Sequence, residues 1–203
     1  MSTWQFFLIG AILVAVGVIS WLISARGRVR FESPEKRAGR QGEKLASIVI
    51  RETFDEDDVL LSNVEVHAGG KEAEMDSVVV NEHGVFIIEV KNYHGQLFGS
   101  EDDYEWIKNK TTQGGNTYQH PVKNPIRQVK RQIYVLSRFL KAHGVRVWVE
   151  GYVFFIEMNS PVESPYVLKT RKDIDRVIHS DSKKGIDDAT RERIINELRK
   201  TQN

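Results

Sequence analysis

Two apolar runs joined by a short turn constrain the fold of this 203-residue chain more than any other feature. Residues 78–80 and 85–88 contain only Val, Phe and Ile, although side chains along a strand alternate between the two faces of a sheet. A hairpin that is apolar on both faces belongs in the middle of a sheet that helices cover on each side. The sequence therefore predicts an α/β fold around a central hairpin.

The segments around this hairpin have the patterns of helices and further strands. Three segments have helical spacing of apolar residues: residues 40–54 (Leu45, Ile48, Val49, Phe54), 125–144 (Ile126, Val129, Ile133, Leu136, Leu140) and the end of 180–200 (Ile194, Ile195, Leu198). Four more segments are strand-like: residues 59–66, 95–100, 104–110 and 145–157. Residues 111–124 have the composition of a loop. This order predicts helices packed around a mixed sheet.

Three charged residues lie at one end of the predicted hairpin. A two-residue loop after Asn81 would place Asp76 opposite Glu89, with about 5 Å between their Cβ atoms, whereas a shift of the loop by one residue would place Asp76 opposite Lys91. Both registers put the three charges on one face. Two carboxylates this close repel unless a cation lies between them, and their hard oxygen atoms suit Mg²⁺ or Mn²⁺. A plain salt bridge between Glu89 and Lys91 is the alternative.

The N-terminal segment has the pattern of a membrane anchor. The first 24 residues contain no Asp, Glu, Lys or Arg, and residues 4–24 would form a helix about 31 Å long, which matches the hydrocarbon core of a bilayer. Trp4 and Trp21 lie near its ends, and arginines follow within residues 26–30, which predicts that the chain continues on the cytoplasmic side. A cleaved signal peptide and a buried globular helix are the alternatives. We expect a single-pass anchor in the cell membrane at residues 1–26, a linker at 27–38 and a cytoplasmic domain at 39–201.

Composition excludes several classes of site and limits another. The chain has no cysteine, which excludes disulfides, cysteine zinc sites and thiol catalysis. A net charge of +1 gives no overall attraction to nucleic acid, so any such contact depends on a local patch. Arg127, Lys130 and Arg131 lie off the apolar stripe of the second predicted helix and are the predicted contacts to a phosphate backbone, with a solvated helix face as the alternative.

Several short motifs follow one another in a characteristic order. They are Gly42-Glu43, the "EMD" of Glu74 and Asp76, the "GVFIIEVKN" that contains Gly84, Glu89, Lys91 and Asn92, then Gly95, Trp106, and the "NPIRQ" that contains Asn124, Pro125 and Gln128. In this order they resemble the NERD family, the nuclease-related domain, within the PD-(D/E)XK nuclease superfamily. The resemblance covers roughly residues 39–140.

The resemblance implies a three-layer α/β/α core of the restriction-endonuclease type, with a mixed central sheet and a site at the end of the central hairpin. It implies a divalent ion, Mg²⁺ or Mn²⁺, held by Asp76 and Glu89 with help from the Val90 carbonyl. Lys91 would then orient the attacking water.

The resemblance also implies roles for two residues on helices. Glu43 would approach the site from the first helix as an extra carboxylate, and Gln128 would come from the second helix toward the site or the phosphates. Helix-capping or surface roles are the alternatives for both. Two functions are consistent with these expectations: a membrane-anchored, metal-dependent nuclease that hydrolyses phosphodiester bonds of DNA or RNA, and a catalytically silent module of nuclease fold that holds nucleic acid or protein at the membrane.

Overall fold

The computed structural model describes residues 33–111, 115–180 and 185–202, together with Trp4, residues 16–18 and Trp21. The chain divides into two compact units, Met1–Arg37 and Ala38–Asn203. Most of the predicted anchor at residues 4–24 lies outside the described residues. Within the described part of the chain, no helix has both the length and the apolar character needed to cross a membrane.

The described elements alternate between helices and strands. The helices with described bounds are α1 (Pro34–Arg51), α2 (Pro125–Ala142), α3 (Arg171–Ile178) and α4 (Asp188–Arg199). The strands are β1 (Val59–Ala68), β2 (Lys71–Asn81), β3 (Gly84–Lys91), β4 (Gln96–Phe98), β5 (Glu105–Thr111), β6 (Thr117–Lys123), β7 (Val149–Phe155) and β8 (Val167–Leu168).

Five of these strands form a mixed sheet with the predicted hairpin near its middle. The strand order is β1-β2-β3-β7-β8, antiparallel from β1 to β3 and parallel from β3 to β8. A larger core lies between one face of this sheet and helices α2 and α4, and a smaller core lies between the other face and helices α1 and α3. The hairpin contributes to both cores, so the predicted α/β fold with a mixed sheet is confirmed.

Helix α2 begins and ends where the sequence predicts. Asn124 is its N-cap and accepts the backbone N–H of Ile126 at 2.9 Å, and Pro125 occupies the first turn, where a missing N–H costs nothing. After the last turn, Gly144 has a φ of 76°, which favours glycine. The predicted stripe is buried in the larger core, apart from Ile133, which is half-buried.

Helix α1 forms as predicted, but with a different buried face. Ala46 and Ile50 are buried in the smaller core, whereas Leu45 and Ile48 are 54% and 56% exposed. The helix also begins at Pro34, within the residues that the sequence assigns to the linker. The apolar spacing therefore predicts the helix correctly, while the position of the sheet decides which side of it is buried.

The predicted loop at residues 111–124 contains a strand. Residues 117–123 form β6, which pairs with β5 along its whole length and completes a three-stranded sheet in the order β4-β5-β6. Nearly every side chain of β6 is exposed. The strand therefore lacks the alternation of apolar residues by which a strand is recognised in a sequence.

Candidate functional site

The turn of the central hairpin has two residues, since Asn81 pairs with Gly84. The side-chain oxygen of Asn81 accepts the N–H of His83 at 3.0 Å and that of Gly84 at 3.2 Å, and these bonds fix the turn. Of the two registers that the sequence allows, the one with Glu82 and His83 as the loop is therefore confirmed.

The regular alternation of β2 breaks at Asp76. Met75 and Val78 both belong to the larger core, although two strand residues three positions apart would ordinarily face opposite sides of a sheet. In β1, Asn63 lies between the positions that pair on either side of this break, and its φ is 53°, a conformation that Asn tolerates better than most residues. This irregularity lies at Asp76, the first carboxylate of the candidate site.

Asp76 also lies where backbone pairing between β2 and β3 stops. The last pair in the ladder is Ser77 with Ile88. One step beyond it, Asp76 Oδ2 accepts the backbone N–H of Val90 at 2.8 Å, so a carboxylate replaces the next backbone partner. Val90 is buried beside the two carboxylates, and the metal-binding role of its carbonyl stays a prediction.

Glu89 is buried at 2% exposure and accepts hydrogen bonds from three side chains. Its Oε1 lies 2.5 Å from Lys91 Nζ and 2.6 Å from Gln128 Nε2. Its Oε2 lies 2.6 Å from Gln132 Nε2. A buried carboxylate is tolerated when it is paired and hydrogen-bonded in this way. The structure thus brings the predicted residues Lys91 and Gln128 to one carboxylate.

Gln132 belongs to this cluster, although the sequence did not predict it. Its Nε2 also donates to the carbonyl of Glu74 at 2.7 Å, whereas its buried Oε1 has no hydrogen-bond partner among the described residues. The available signal was its position four residues after Gln128, since residues four apart lie on the same face of a helix.

The electrostatics of Asp76 are those of a crowded carboxylate. Burial, together with the negative charges of Glu89 and Glu43, raises the pKa of Asp76 to about 7. The N–H of Val90 and the charge of Lys91 act in the opposite direction. Near neutral pH this carboxyl is therefore only partly ionised, and a cation beside it would favour the charged form.

Lys91 and Tyr93 both hold their protons in this site. Burial lowers the pKa of Lys91, but the charge of Glu89 and its hydrogen bond to Lys91 outweigh this effect and raise the pKa above its ordinary value. Burial raises the pKa of the Tyr93 phenol, and the charge of Glu89 adds to that effect. At neutral pH, Lys91 is therefore a cation and Tyr93 is neutral.

A glycine allows helix α1 to reach the same strand end. A Cβ atom on Gly42 would lie 2.7 Å from Cβ of Asn92, which is closer than such atoms approach in proteins. Asn92 Nδ2 donates to the carbonyl of Ala38 at 3.0 Å and ties the helix to the strand end. Glu43 follows directly, is half-buried and acts on Asp76 by its charge.

The three predicted nucleic-acid contacts, Arg127, Lys130 and Arg131, are exposed side chains of α2. The guanidinium of Arg127 lies 5.5 Å from the ring centroid of Tyr104. Lys130 Nζ lies 2.9 Å from Glu101 Oε1, so part of its charge is already neutralised. These residues lie in the N-terminal half of α2, which also carries Gln128.

A second group of possible metal ligands lies on the β1–β2 hairpin. Oxygen or nitrogen atoms of Glu65, His67 and Glu72 lie within 4.8 Å of one another, and all three residues are exposed. This group is separate from the predicted set. Exposed charges of this kind are well solvated, so their proximity does not indicate a bound ion.

The donor set around Asp76 and Glu89 fits a divalent cation. It consists of hard carboxylate oxygens. The raised pKa of Asp76 would return toward its ordinary value beside a cation. The buried Oε1 of Gln132 is an acceptor that receives no hydrogen bond from the described part of the chain.

Comparisons with known proteins give a family match and a relative. A family model described as the nuclease-related domain, NERD, matches residues 38–156, which include every residue of the candidate site. An uncharacterized protein of Bacillus anthracis is 33% identical over 121 residues, which are 59% of this chain and 54% of that protein. The chain therefore spans about half the length of that relative. No solved structure matches the chain.

Proposed function

The chain belongs to the nuclease-related domain family, and on that basis we propose that it is a divalent-metal-dependent nuclease that hydrolyses phosphodiester bonds of nucleic acid. The observation that carries the proposal is the cluster of Asp76, Glu89 and Lys91 at the end of the central hairpin, in which Glu89 is buried and the other two residues are half-buried. Buried charges contribute little net stability, and perturbed pKa values concentrate at functional sites. The mixed sheet between helices supports a core of the restriction-endonuclease type.

Asp76 and Glu89, with the carbonyl of Val90, would hold Mg²⁺ or Mn²⁺. Such an ion, when bound, lowers the pKa of water and neutralises charge on phosphate oxygens. The side chains of Gln128 and Gln132 hold the two oxygens of Glu89 in a fixed orientation. A fixed orientation supports catalysis because no reorganisation is then needed during the reaction.

Lys91 would act as a cation in the proposed reaction. It stays protonated, so it cannot take a proton from water, but its ammonium can donate hydrogen bonds to an attacking water or to a phosphate oxygen. Its hydrogen bond to Glu89 keeps that ammonium beside the carboxylates. Tyr93, which is also protonated, follows Lys91 by two residues, just after the end of β3.

Cleavage of labelled DNA and RNA by the full chain, with Mg²⁺, with Mn²⁺ and with EDTA, tests this proposal. We expect metal-dependent cleavage that falls by roughly 100-fold or more in Asp76→Ala, Glu89→Ala and Lys91→Ala. Glu72→Ala, which changes an exposed carboxylate of the second ligand group, should keep wild-type activity. Wild-type rates in all three site variants would reject the proposal.

A catalytically silent binding module is the second candidate, and one observation favours it. Both oxygens of Glu89 already accept hydrogen bonds from protein side chains, so the carboxylate is satisfied by Lys91, Gln128 and Gln132 alone. Titration with Mn²⁺ separates the two candidates. Binding of Mn²⁺ without cleavage of any single- or double-stranded substrate would favour the module.

We further propose that residues 4–24 anchor the chain in the cell membrane, with the family domain on the cytoplasmic side. The uncharged apolar run and the arginines that follow it support this. A C-terminally tagged full chain should fractionate with membranes and resist extraction by alkaline carbonate. Recovery in the soluble fraction, or a mature N-terminus near Arg26, would reject the anchor.

A further inference from the structure

The two faces of the β4-β5-β6 sheet differ in character. Residues that pair across strands share a face, and side chains alternate along each strand. One face therefore carries Leu97, Trp106, Lys108, Lys110, Tyr118, His120 and Val122. Leu97 and Trp106 are buried in the larger core. The other end of this face extends beyond the core and consists of Lys108, Lys110, Tyr118 and His120, which we call the basic face.

The basic face has the charge expected of a surface that binds phosphate. It carries two lysines and a histidine, and among the described strand residues of this sheet no Asp or Glu shares the face. Glu105, the acidic residue of β5, lies on the opposite face, as does Lys123 of β6. The segregation of charge arises from the strand register, so it is a property of the sheet and not of flexible side chains.

The basic face is continuous with the candidate site through Tyr93. Lys108 Nζ lies 5.4 Å from the centroid of the Tyr93 ring, within the range of a cation–π contact. Tyr93 follows Lys91 by two residues, directly beyond the end of β3. Lys110 is two residues further along β5, about 7 Å beyond Lys108. The lysines thus form a row that leads away from the carboxylates.

An exposed aromatic ring stands in the same row. Tyr118 pairs with Lys110 and is 58% exposed. Surfaces that combine a positive groove with exposed aromatic rings bind single-stranded nucleic acid, because unpaired bases offer ring faces for stacking while a duplex hides them. The pairing of Tyr118 with Lys110 has this combination.

We propose that the basic face binds single-stranded nucleic acid and leads it to the carboxylates of the candidate site. The statement that the strand is led to the carboxylates rests on the proposed nuclease function. The inference narrows the substrate class to strands with unpaired bases. The lysines contact phosphates, and Tyr118 stacks on a base.

Fluorescence anisotropy with the full chain in detergent micelles and EDTA tests binding without turnover. The probes are a labelled oligothymidylate, an oligouridylate and a blunt DNA duplex. We expect the wild type to prefer the single strands. Lys108→Ala combined with Lys110→Ala should weaken their binding about tenfold and make the slope of log affinity against log salt shallower by about 1.4, since each phosphate contact in a single strand contributes about 0.7.

Tyr118→Ala should weaken binding of the single strands at least about fivefold and leave the salt slope unchanged, because stacking releases no counterions. Lys123→Ala is the matched control, an exposed lysine on the opposite face of β6. Thermal unfolding of each variant establishes that it is folded. An equal effect of Lys123→Ala, an equal loss of duplex binding, or wild-type binding by the Lys108, Lys110 and Tyr118 variants would overturn the proposal.

Failure of this proposal and failure of the nuclease function give different results. If the wild type cleaves no substrate and the basic-face variants lose binding of single strands, the binding surface is supported and the nuclease function is rejected. If cleavage requires Asp76 while the basic-face variants bind and cleave as the wild type does, the surface fails alone.

Discussion

At the scale of single residues, the site maintains an arrangement that costs stability. Asp76 and Glu89 lie at the same end of the hairpin, and burial together with their mutual repulsion raises the pKa of Asp76 to about 7. Glu89 is stabilised by three donor side chains, whereas a single backbone N–H, that of Val90, donates to Asp76 in the described hydrogen bonds. Asp76 is therefore the residue at which function and stability conflict most directly.

Replacement of Asp76 by Asn tests this conflict. The amide keeps an oxygen for the Val90 N–H but removes the charge, so we expect the metal-free protein at pH 8 to gain roughly 1–3 kcal/mol in free energy of unfolding. The ceiling is about 4 kcal/mol, which corresponds to a pKa shift from 3.8 to about 7. Urea unfolding in EDTA measures the gain.

The pH dependence of that gain has a definite sign. Because the folded-state pKa of Asp76 is raised, wild-type stability is fully present below pH 3.8 and falls as pH rises through about 7. The advantage of the Asn variant should therefore be small near pH 4 and largest at pH 8. A variant less stable than wild type at pH 8 would contradict this account.

At the scale of secondary-structure elements, two helices converge on the end of one strand. Helix α2 supplies Gln128 and Gln132 to Glu89, and its start is fixed by Asn124, whose side chain donates to carbonyls in residues 100–103 while capping the helix. Helix α1 supplies Glu43 and is held close by the absence of a side chain at Gly42. The geometry of the site therefore depends on how closely these helices pack.

Two glycine replacements within α1 test this packing. Gly42→Ala should lower the free energy of unfolding by about 1–3 kcal/mol, because the new methyl group meets the Cβ atom of Asn92, which cannot rotate away. Gly39→Ala is the matched control, since a Cβ atom there has no neighbour within 4 Å, and it should raise stability by about 0.5–1 kcal/mol through helix propensity. Thermal or urea unfolding measures both. Equal effects would show that the close approach is unimportant.

At the scale of the whole domain, a histidine contacts three carboxylates at the end of the sheet opposite the site. His179 Nε2 lies 2.9 Å from Asp58 Oδ2 and 3.6 Å from Asp55 Oδ2, and its Nδ1 lies 2.9 Å from Asp175 Oδ1. The centroid of the His83 ring lies 6.0 Å from the centroid of the His179 ring. Burial lowers the pKa of His179, but the hydrogen bonds to Asp58 and Asp175 outweigh it and raise the pKa. The imidazolium thus joins α3 to the connection between α1 and β1.

This contact predicts a pH-dependent stability. A raised histidine pKa contributes stability that is fully present below the unfolded value of about 6.5 and is lost as pH rises through the folded value. Between pH 6 and pH 8, the wild type should therefore lose more stability than His179→Gln. His94→Gln, at an exposed position, should retain the wild-type dependence. An equal loss of free energy of unfolding between pH 6 and pH 8 in the wild type and in His179→Gln would contradict the prediction.

Local patterns were sufficient to predict much of the fold. The sequence predicts the central hairpin because its residues are apolar on both faces. It predicts α2 from a stripe of apolar residues at helical spacing, with Pro125 and Gly144 marking the ends of the helix. The two α2 residues that reach Glu89 were predicted unequally. Gln128 belongs to a recognisable motif, whereas Gln132 becomes informative only when its helix packs on Glu89.

The order of short motifs along the chain identifies the family. Alternation and turn chemistry, which act over a few residues, predict the mixed α/β fold and place Asp76, Glu89 and Lys91 at the end of the hairpin. The tertiary structure decided the choice between two registers, the buried side of α1, the existence of β6 and the basic face beside it. These features depend on contacts between segments far apart in the chain. A strand whose side chains are mostly exposed leaves no periodic signal in the sequence, and backbone pairing with β5 places β6 in its sheet.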